Sequence, residues 1–178
     1  MRKNLVLTLT GPDRIGIVDD MTGVIAGLGG NVETSRMARL GGEFAILMLV
    51  ALPEDAAPDL DAGLGGLIAQ GYKVTVTPAG RTYAEAHPGW SPYRIEVRGA
   101  DHEGIIHEVA HYLSGRGISI ESMDSESAPA PTSGVPLFAM TAEVVVPPGL
   151  AGTGWEAGLE EVGGRLNLDI RVSAAPDR

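Results

Sequence analysis

Along the chain, short runs of alternating or β-rich apolar residues give way to apolar residues spaced three and four apart, and this succession occurs twice. Leu5 to Leu9 predicts a strand closed by Gly11. At about 100° per residue, Val18, Met21, Thr22 and Ile25 share one helical face, and Gly27-Leu28-Gly29-Gly30 suits a left-handed cap behind them. Asn31 to Leu40 and Gly42 to Leu52 predict a hairpin around Gly41-Gly42. After a turn at Pro53-Glu54-Asp55, Leu60, Leu64, Leu67 and Ile68 mark a second helix, and Tyr72 to Val76 a closing strand.

The second half follows the same order. Ile95-Glu96-Val97 predicts its first strand, and Ile106, Val109, Ala110 and Leu113 its first helix, stopped by Gly115-Arg116-Gly117. Trp155, Leu159 and Val162 carry its second helix, and Leu166, Leu168, Ile170 and Val172 its last strand. A shift of 88 places lays Gly11, Asp13 and Gly16 over Gly99, Asp101 and Gly104, and Glu33 over Glu121. The register then needs six extra residues within Ser127 to Pro136 before Phe44-Ala45 meets Phe138-Ala139. Ala128-Pro129-Ala130-Pro131 in that insertion predicts an extended, mobile loop.

Pro78-Ala79-Gly80 and His87-Pro88-Gly89 bracket a short polar segment, so the expected organisation is a first domain over 1–80, a linker over 81–91 and a second domain over 92–178. Two helices on one face of a four-stranded antiparallel sheet make an α+β, ferredoxin-like βαββαβ unit, here in tandem.

Gly11-Pro12-Asp13-Arg14-Ile15-Gly16-Ile17-Val18, followed after one helix by Gly30-Asn31-Val32, resembles the first strand-helix loop and second strand of an ACT domain. The second copy resembles it too. Two such domains with nothing else look like the glycine cleavage system transcriptional repressor group. The resemblance implies units that pair through sheets and helices, and a small amino-acid ligand held between this loop and the start of the second strand.

That resemblance makes Gly11, Pro12, Asp13, Arg14, Gly16, Ile17 and Asn31 the candidate ligand residues. Elementary chemistry agrees, because free N–H groups at a helix N-terminus and the helix dipole attract an anion such as an α-carboxylate. Asp13 offers an acceptor for an α-ammonium group, and Asn31 both a donor and an acceptor. Each also has a structural reading: Asp13 and Asp101 sit where an N-cap belongs, Gly11 and Gly99 can end strands, and Gly16 and Gly104 can serve helix packing. Gly99, Asp101, His102, Gly104 and Ile105 are the second copy's candidates. That copy departs from the pattern at Ala100, at His102-Glu103 and at Ser119, which makes the first copy the better sensor candidate.

Composition narrows the chemistry. The 178 residues carry 13 Lys plus Arg against 23 Asp plus Glu, a formal charge of −10, and there is no run of basic residues to meet a phosphate backbone. Up to Gly89 there are 7 basic and 10 acidic residues, and beyond it 6 and 13, so the acidity belongs mainly to the second copy. The absence of cysteine removes disulfides, thiolate metal sites and cysteine nucleophiles. No apolar stretch reaches transmembrane length, and the opening segment is too short for a signal-peptide core.

One sharper motif competes. His107-Glu108-Val109-Ala110-His111 matches H-E-x-x-H on a predicted helix, which would place His107 and His111 on one side to hold zinc and Glu108 beside the metal-bound water, with Glu121 or Glu126 as conceivable third ligands. Its repeat counterparts Asp19, Asp20 and Gly23 place it on the solvent side of a scaffold helix instead. Thr132 and Ser133-Gly134 read as loop, and Trp90 and Trp155 as packing anchors. The glycines from Gly11 to Gly16 lack the Lys-Ser or Lys-Thr of a phosphate loop. The leading expectation is a cytoplasmic, non-enzymatic, homodimeric regulator that binds a small amino acid, needs no cofactor or metal, touches neither nucleic acid nor membrane, and acts on a regulatory partner protein. A zinc hydrolase and a ligand-free adaptor are the alternatives.

Overall fold

A computed structural model describes residues 1–81, 83–130 and 134–175. The chain divides into two compact units, Met1–Gly80 and Arg81–Arg178. Each is an α+β unit with βαββαβ order, as the periodicity predicts.

In the first unit, β1 (Arg2–Pro12), α1 (Ile17–Gly27), β2 (Asn31–Leu40), β3 (Glu43–Pro53), α2 (Leu60–Ala69) and β4 (Lys73–Pro78) follow one another, with a 3-10 turn at Ala57–Asp59 leading into α2. The sheet is antiparallel with the order β2-β3-β1-β4. Successive strand side chains face opposite ways, so Leu5, Leu7 and Leu9 of β1 and Ile46, Met48, Val50 and Leu52 of β3 all enter one core. Ile17, Met21 and Ile25 of α1 and Leu60, Leu64 and Leu67 of α2 close it from one side. Ile68, read from the sequence as part of that stripe, is exposed instead.

The second unit repeats the plan after a short helix, α3 (Tyr83–Ala86), within the expected linker. Its elements are β5 (Ser91–Ala100), α4 (Ile105–Ser114), β6 (Ser119–Pro129), β7 (Pro136–Val146), α5 (Trp155–Leu166) and β8 (Leu168–Ala174), with sheet order β6-β7-β5-β8. Trp155 is buried and meets Tyr93 edge-on at 5.4 Å between ring centroids, while the half-buried Trp90 packs against the His87 ring. Leu166 ends α5 rather than opening the last strand, because Asn167 takes a left-handed conformation (φ 55°) and turns the chain between them. Ala128 and Pro129 are not loop, since β6 extends through them, paired with Leu137 and Pro136. Pro131, Thr132 and Ser133 lie outside the described residues.

The connections obey local backbone chemistry. Gly41 and Gly42, both at positive φ (59° and 89°), form the two-residue turn that joins β2 to β3. After α1, Gly29 N–H donates to Ala26 O and Gly30 N–H to Ile25 O, the double bond pattern that satisfies a helix's last carbonyls around a left-handed glycine. The edge strands β2 and β6 each carry a bulge at repeat-equivalent places, between Val32 and Thr34 and between Ile120 and Ser122.

Candidate functional site

The loop from Pro12 to Gly16 connects β1 to α1, and contacts on three sides fix it. At the hairpin side, Asp13 N–H donates to Gly42 O at 3.0 Å, and Arg39 Nε approaches Asp13 Oδ2 at 2.6 Å. Beneath it, the Tyr72 hydroxyl donates to Pro12 O at 2.9 Å while its ring lies against Gly11. At the far side, Arg14 Nη2 donates to Asp20 Oδ2 at 2.5 Å and to Gln70 Oε1 at 3.0 Å, with its guanidinium carbon 5.6 Å from the Tyr72 ring centre. The Asp20 hydrogen bond, chiefly, raises the Arg14 pKa above its already high ordinary value. Arg14 therefore straps the loop to the C-terminal end of α2.

Several expectations shift accordingly. The first helix begins at Ile17, four residues past Asp13, and its N-cap is Gly16 at φ 90° with no side-chain cap. Asp13 and Asp101 do not cap helices: Asp13 serves Arg39, and Asp101 accepts a 2.6 Å hydrogen bond from the Ser127 hydroxyl. Gly11 and Gly99 lie within β1 and β5 rather than ending them. A Cβ at Gly11 would fall 2.5 Å from Tyr72 Cδ1, so this position is glycine because an aromatic ring occupies the space. Gly16 and Gly104 are required by backbone geometry more than by packing, since their φ values of +90° and +88° leave no strong neighbour contact to explain them.

With the charged side chains engaged, Arg14 Nε alone of their buried atoms lacking a partner among the described residues, the outward-facing uncommitted polarity of the loop is backbone. Asp20 N–H already bonds Gly16 O at 2.9 Å, which begins the helical ladder and leaves the preceding first-turn N–H groups directed out of the helix end. Ile17 has only its N–H to offer there, because its side chain is 3% exposed in the core. Asn31 opens β2, exposed, and its Nδ2 donates to Glu33 Oε1 at 3.0 Å. Pro12 is exposed, and Ile15 at the loop tip is wholly exposed.

The second unit copies this construction. Asp101 N–H donates to Pro136 O at 2.9 Å, Gly104 is the left-handed N-cap of α4, Glu108 N–H bonds Gly104 O at 2.9 Å, and the Ile105 side chain is buried. His102 stands where Arg14 stands, and its two ring nitrogens lie 3.1 Å from Glu103 O and 3.0 Å from Leu166 O. Here Leu168 and the Asn167 carbonyl, not a tyrosine, crowd the place where a Cβ on Gly99 would sit. Tyr112 on α4 instead donates to Trp155 O at 2.6 Å under the Arg116 guanidinium, and burial raises its pKa.

His107, Glu108 and His111 are all exposed on α4. The two imidazoles stack at 5.9 Å, and among the described residues no group of three His, Asp or Glu side chains gathers to hold a metal, so neither Glu121 nor Glu126 completes the set. A concavity of about 130 Å³ on the sheet face opposite the helices is lined by Glu96, Arg98, Asp169 and Arg171. The strand register sets Glu96 opposite Arg171 and Arg98 opposite Asp169, and ion pairs along the strands, Arg171 to Asp169 at 3.2 Å and Arg94 to Glu96 at 3.3 Å, complete an array of surface charges that accounts for it. Among the described residues no helix is long and apolar enough to cross a membrane.

Sequence reasoning missed Tyr72, Gln70 and Arg39 as the groups that hold the loop. Tyr72→Phe is expected to cost the first unit about 1 kcal/mol, because the Pro12 carbonyl loses its donor. Urea unfolding of the two proteins measures it.

Comparison with known proteins adds lineage to this geometry. Residues 3–74 match the ACT domain family. The chain is 31% identical over 133 residues to the glycine cleavage system transcriptional repressors of Escherichia coli (strain K12) and Shigella flexneri, an alignment covering 71% of this chain and 66%, just under two thirds, of theirs. Among solved structures, an unknown protein from Galdieria sulphuraria is 30% identical with a TM-score of 0.87, over 99% of this chain and 100% of that one. A structure provisionally assigned as a glycine cleavage system transcriptional repressor shares the fold at 19% identity, TM-score 0.68 and 99% coverage of both chains. The first unit thus matches the ACT domain family, the second repeats its βαββαβ plan, and the chain is a tandem ACT-type protein that resembles the glycine cleavage system transcriptional repressors.

Proposed function

We propose that this protein is a non-enzymatic, cytoplasmic regulator that binds a small amino acid of glycine or serine size and thereby changes its association with a partner protein in the transcriptional control of amino-acid metabolism. The ligand site is the Gly11 to Ile17 loop of the first unit with Asn31. Its α-carboxylate takes the first-turn N–H groups of α1, its α-ammonium the Asp13 oxygen that Arg39 leaves available, and its small side chain the space above Gly16. Arg14 neutralises Asp20, which removes one acidic competitor from the helix end.

The observation that carries this reading is the uncapped, left-handed glycine opening the first helix of each unit, in a chain related to repressors named for glycine cleavage. The second unit supplies Gly99, Asp101, His102, Gly104 and Ile105 at the matching places but lacks the counterparts of Pro12 and Asn31, so it binds more weakly or serves as the structural partner. Two chains associate through exposed edge strands such as β2, where Leu40 and Met37 lie open. The net charge of −10 directs the output toward a protein partner rather than toward DNA.

Isothermal calorimetry tests the reading. Glycine or serine is expected to give saturable heat at micromolar to low-millimolar affinity, and silence across the common amino acids at millimolar concentration would overturn it.

A further inference from the structure

The two units fasten their first loops to the end of their second helix by different chemistry. In the first, Arg14 reaches Gln70, the C-cap of α2, and a guanidinium holds its charge at every pH a protein survives. In the second, the repeat-equivalent His102 spans the same two places: Nδ1 faces Glu103 O on its own loop at 3.1 Å, and Nε2 faces the carbonyl of Leu166, the last residue of α5, at 3.0 Å. Both partners are backbone carbonyls, which only accept. A neutral imidazole carries one N–H and one lone pair, so it satisfies one carbonyl and turns a lone pair toward the other. The imidazolium donates to both.

We propose that His102 is a proton-operated clasp: protonation ties the β5–α4 loop to the C-terminus of α5, and deprotonation releases one of the two ties. The first unit, strapped by Arg14, has no such dependence. The proposal rests on the fold and on these two contacts, and it stands whether or not an amino acid binds either loop.

The charged surroundings favour the closed form. Asp101 and Glu103 on the same loop are acidic, and the α5 terminus contributes the negative end of its dipole, against Arg165 in the last turn of α5; Asp169 near the start of β8 is already ion-paired with Arg171 at 3.2 Å. The Asp101 carboxylate is meanwhile fixed by the Ser127 hydroxyl of β6. The bonds to the Glu103 and Leu166 carbonyls, with the Asp101 and Glu103 carboxylates behind them, outweigh desolvation and raise the His102 pKa above its ordinary 6.5. A histidine whose pKa is higher folded than unfolded stabilises the fold below the unfolded value, and that contribution disappears as pH rises through the folded value. The clasp is closed on the acid side and opens toward the alkaline side.

Nitrogen-detected NMR of the full chain reads the protonation state of each ring nitrogen directly, and hydrogen exchange of residues 101–105, corrected for intrinsic rates, reads loop order. His102 is expected to titrate above its midpoint in the urea-unfolded chain, with loop protection falling in step with it. His102→Arg is expected to make protection independent of pH, as in the first unit, and His102→Gln to lower it at all pH values. A His102 midpoint at or below that of the unfolded chain, or loop exchange that passes through the midpoint without a step, overturns the proposal. His102→Arg guards against misreading a variant that folds poorly, since it keeps the tie and removes only the titration.

Discussion

Gly11→Ala is expected to destabilise the first unit by about 2 kcal/mol, lowering its urea midpoint by about 1 M. The added methyl would lie 2.5 Å from Tyr72 Cδ1 and 3.0 Å from Cε1, well inside contact distance. The ring has little freedom to withdraw, because it is 6% exposed and its hydroxyl is bound to the Pro12 carbonyl. Relief requires either off-rotamer Tyr72 or displacement of β1, and both loosen the loop that Tyr72 supports. Gly66→Ala is the control: it lies in the exposed interior of α2 with nothing near its Cβ position, so alanine there should stabilise by about 0.5–1 kcal/mol. Equal effects at the two positions would show that the Tyr72 contact is not what requires Gly11.

Substitution of Gly16 should follow a graded series in which valine is worst, alanine intermediate and asparagine mildest. At φ +90° a Cβ costs about 1–2 kcal/mol, more for a β-branched side chain, while asparagine tolerates the left-handed region. Gly16→Val is therefore expected to move the start of α1 and to weaken amino-acid binding at least about tenfold, a loss of about 1.4 kcal/mol or more. Calorimetry alongside urea unfolding separates the two consequences. An amino-acid affinity unchanged by this substitution would remove the α1 N-terminus from the ligand site.

The repeat explains why so much of the fold was legible. The alternation of Leu5, Leu7 and Leu9 and the helical spacing of Met21 and Ile25 are direct imprints of one buried core, and an 88-residue shift reveals the same imprint again. Boundaries were less legible where backbone conformation, not apolar pattern, sets them. Asp13 looked like an N-cap because aspartate commonly caps, yet the left-handed Gly16 moves the helix start downstream and frees Asp13 for Arg39, a residue 26 places away on β2. Leu166 continued the apolar rhythm of the last strand, but Asn167 breaks the chain direction between helix and strand.

The candidate loop was located by its glycines, while its fastenings were not, because they join residues distant in sequence. Arg14 with Gln70, Tyr72 with Pro12 and His102 with Leu166 are visible only once the second helix lies beside the first loop. Only the apposition of Gly11 and an aromatic residue just past the second helix carried any hint, and a single sequence does not distinguish that from chance. The H-E-x-x-H motif shows the opposite failure: its spacing is correct on α4, but the surrounding fold brings no third ligand to it among the described residues.

The central claim is that a small amino acid engages the N-terminal end of α1 in the first unit. Titration of isotopically labelled protein with glycine and serine, followed by amide NMR, tests it most directly. The account predicts saturable shifts concentrated at the amides of Gly16, Ile17, Val18 and Asp19 and at Asn31, with smaller or no changes at Gly104 and Ile105. Saturable shifts that leave residues 11–19 and 31 untouched, or no shifts at millimolar ligand, would contradict it.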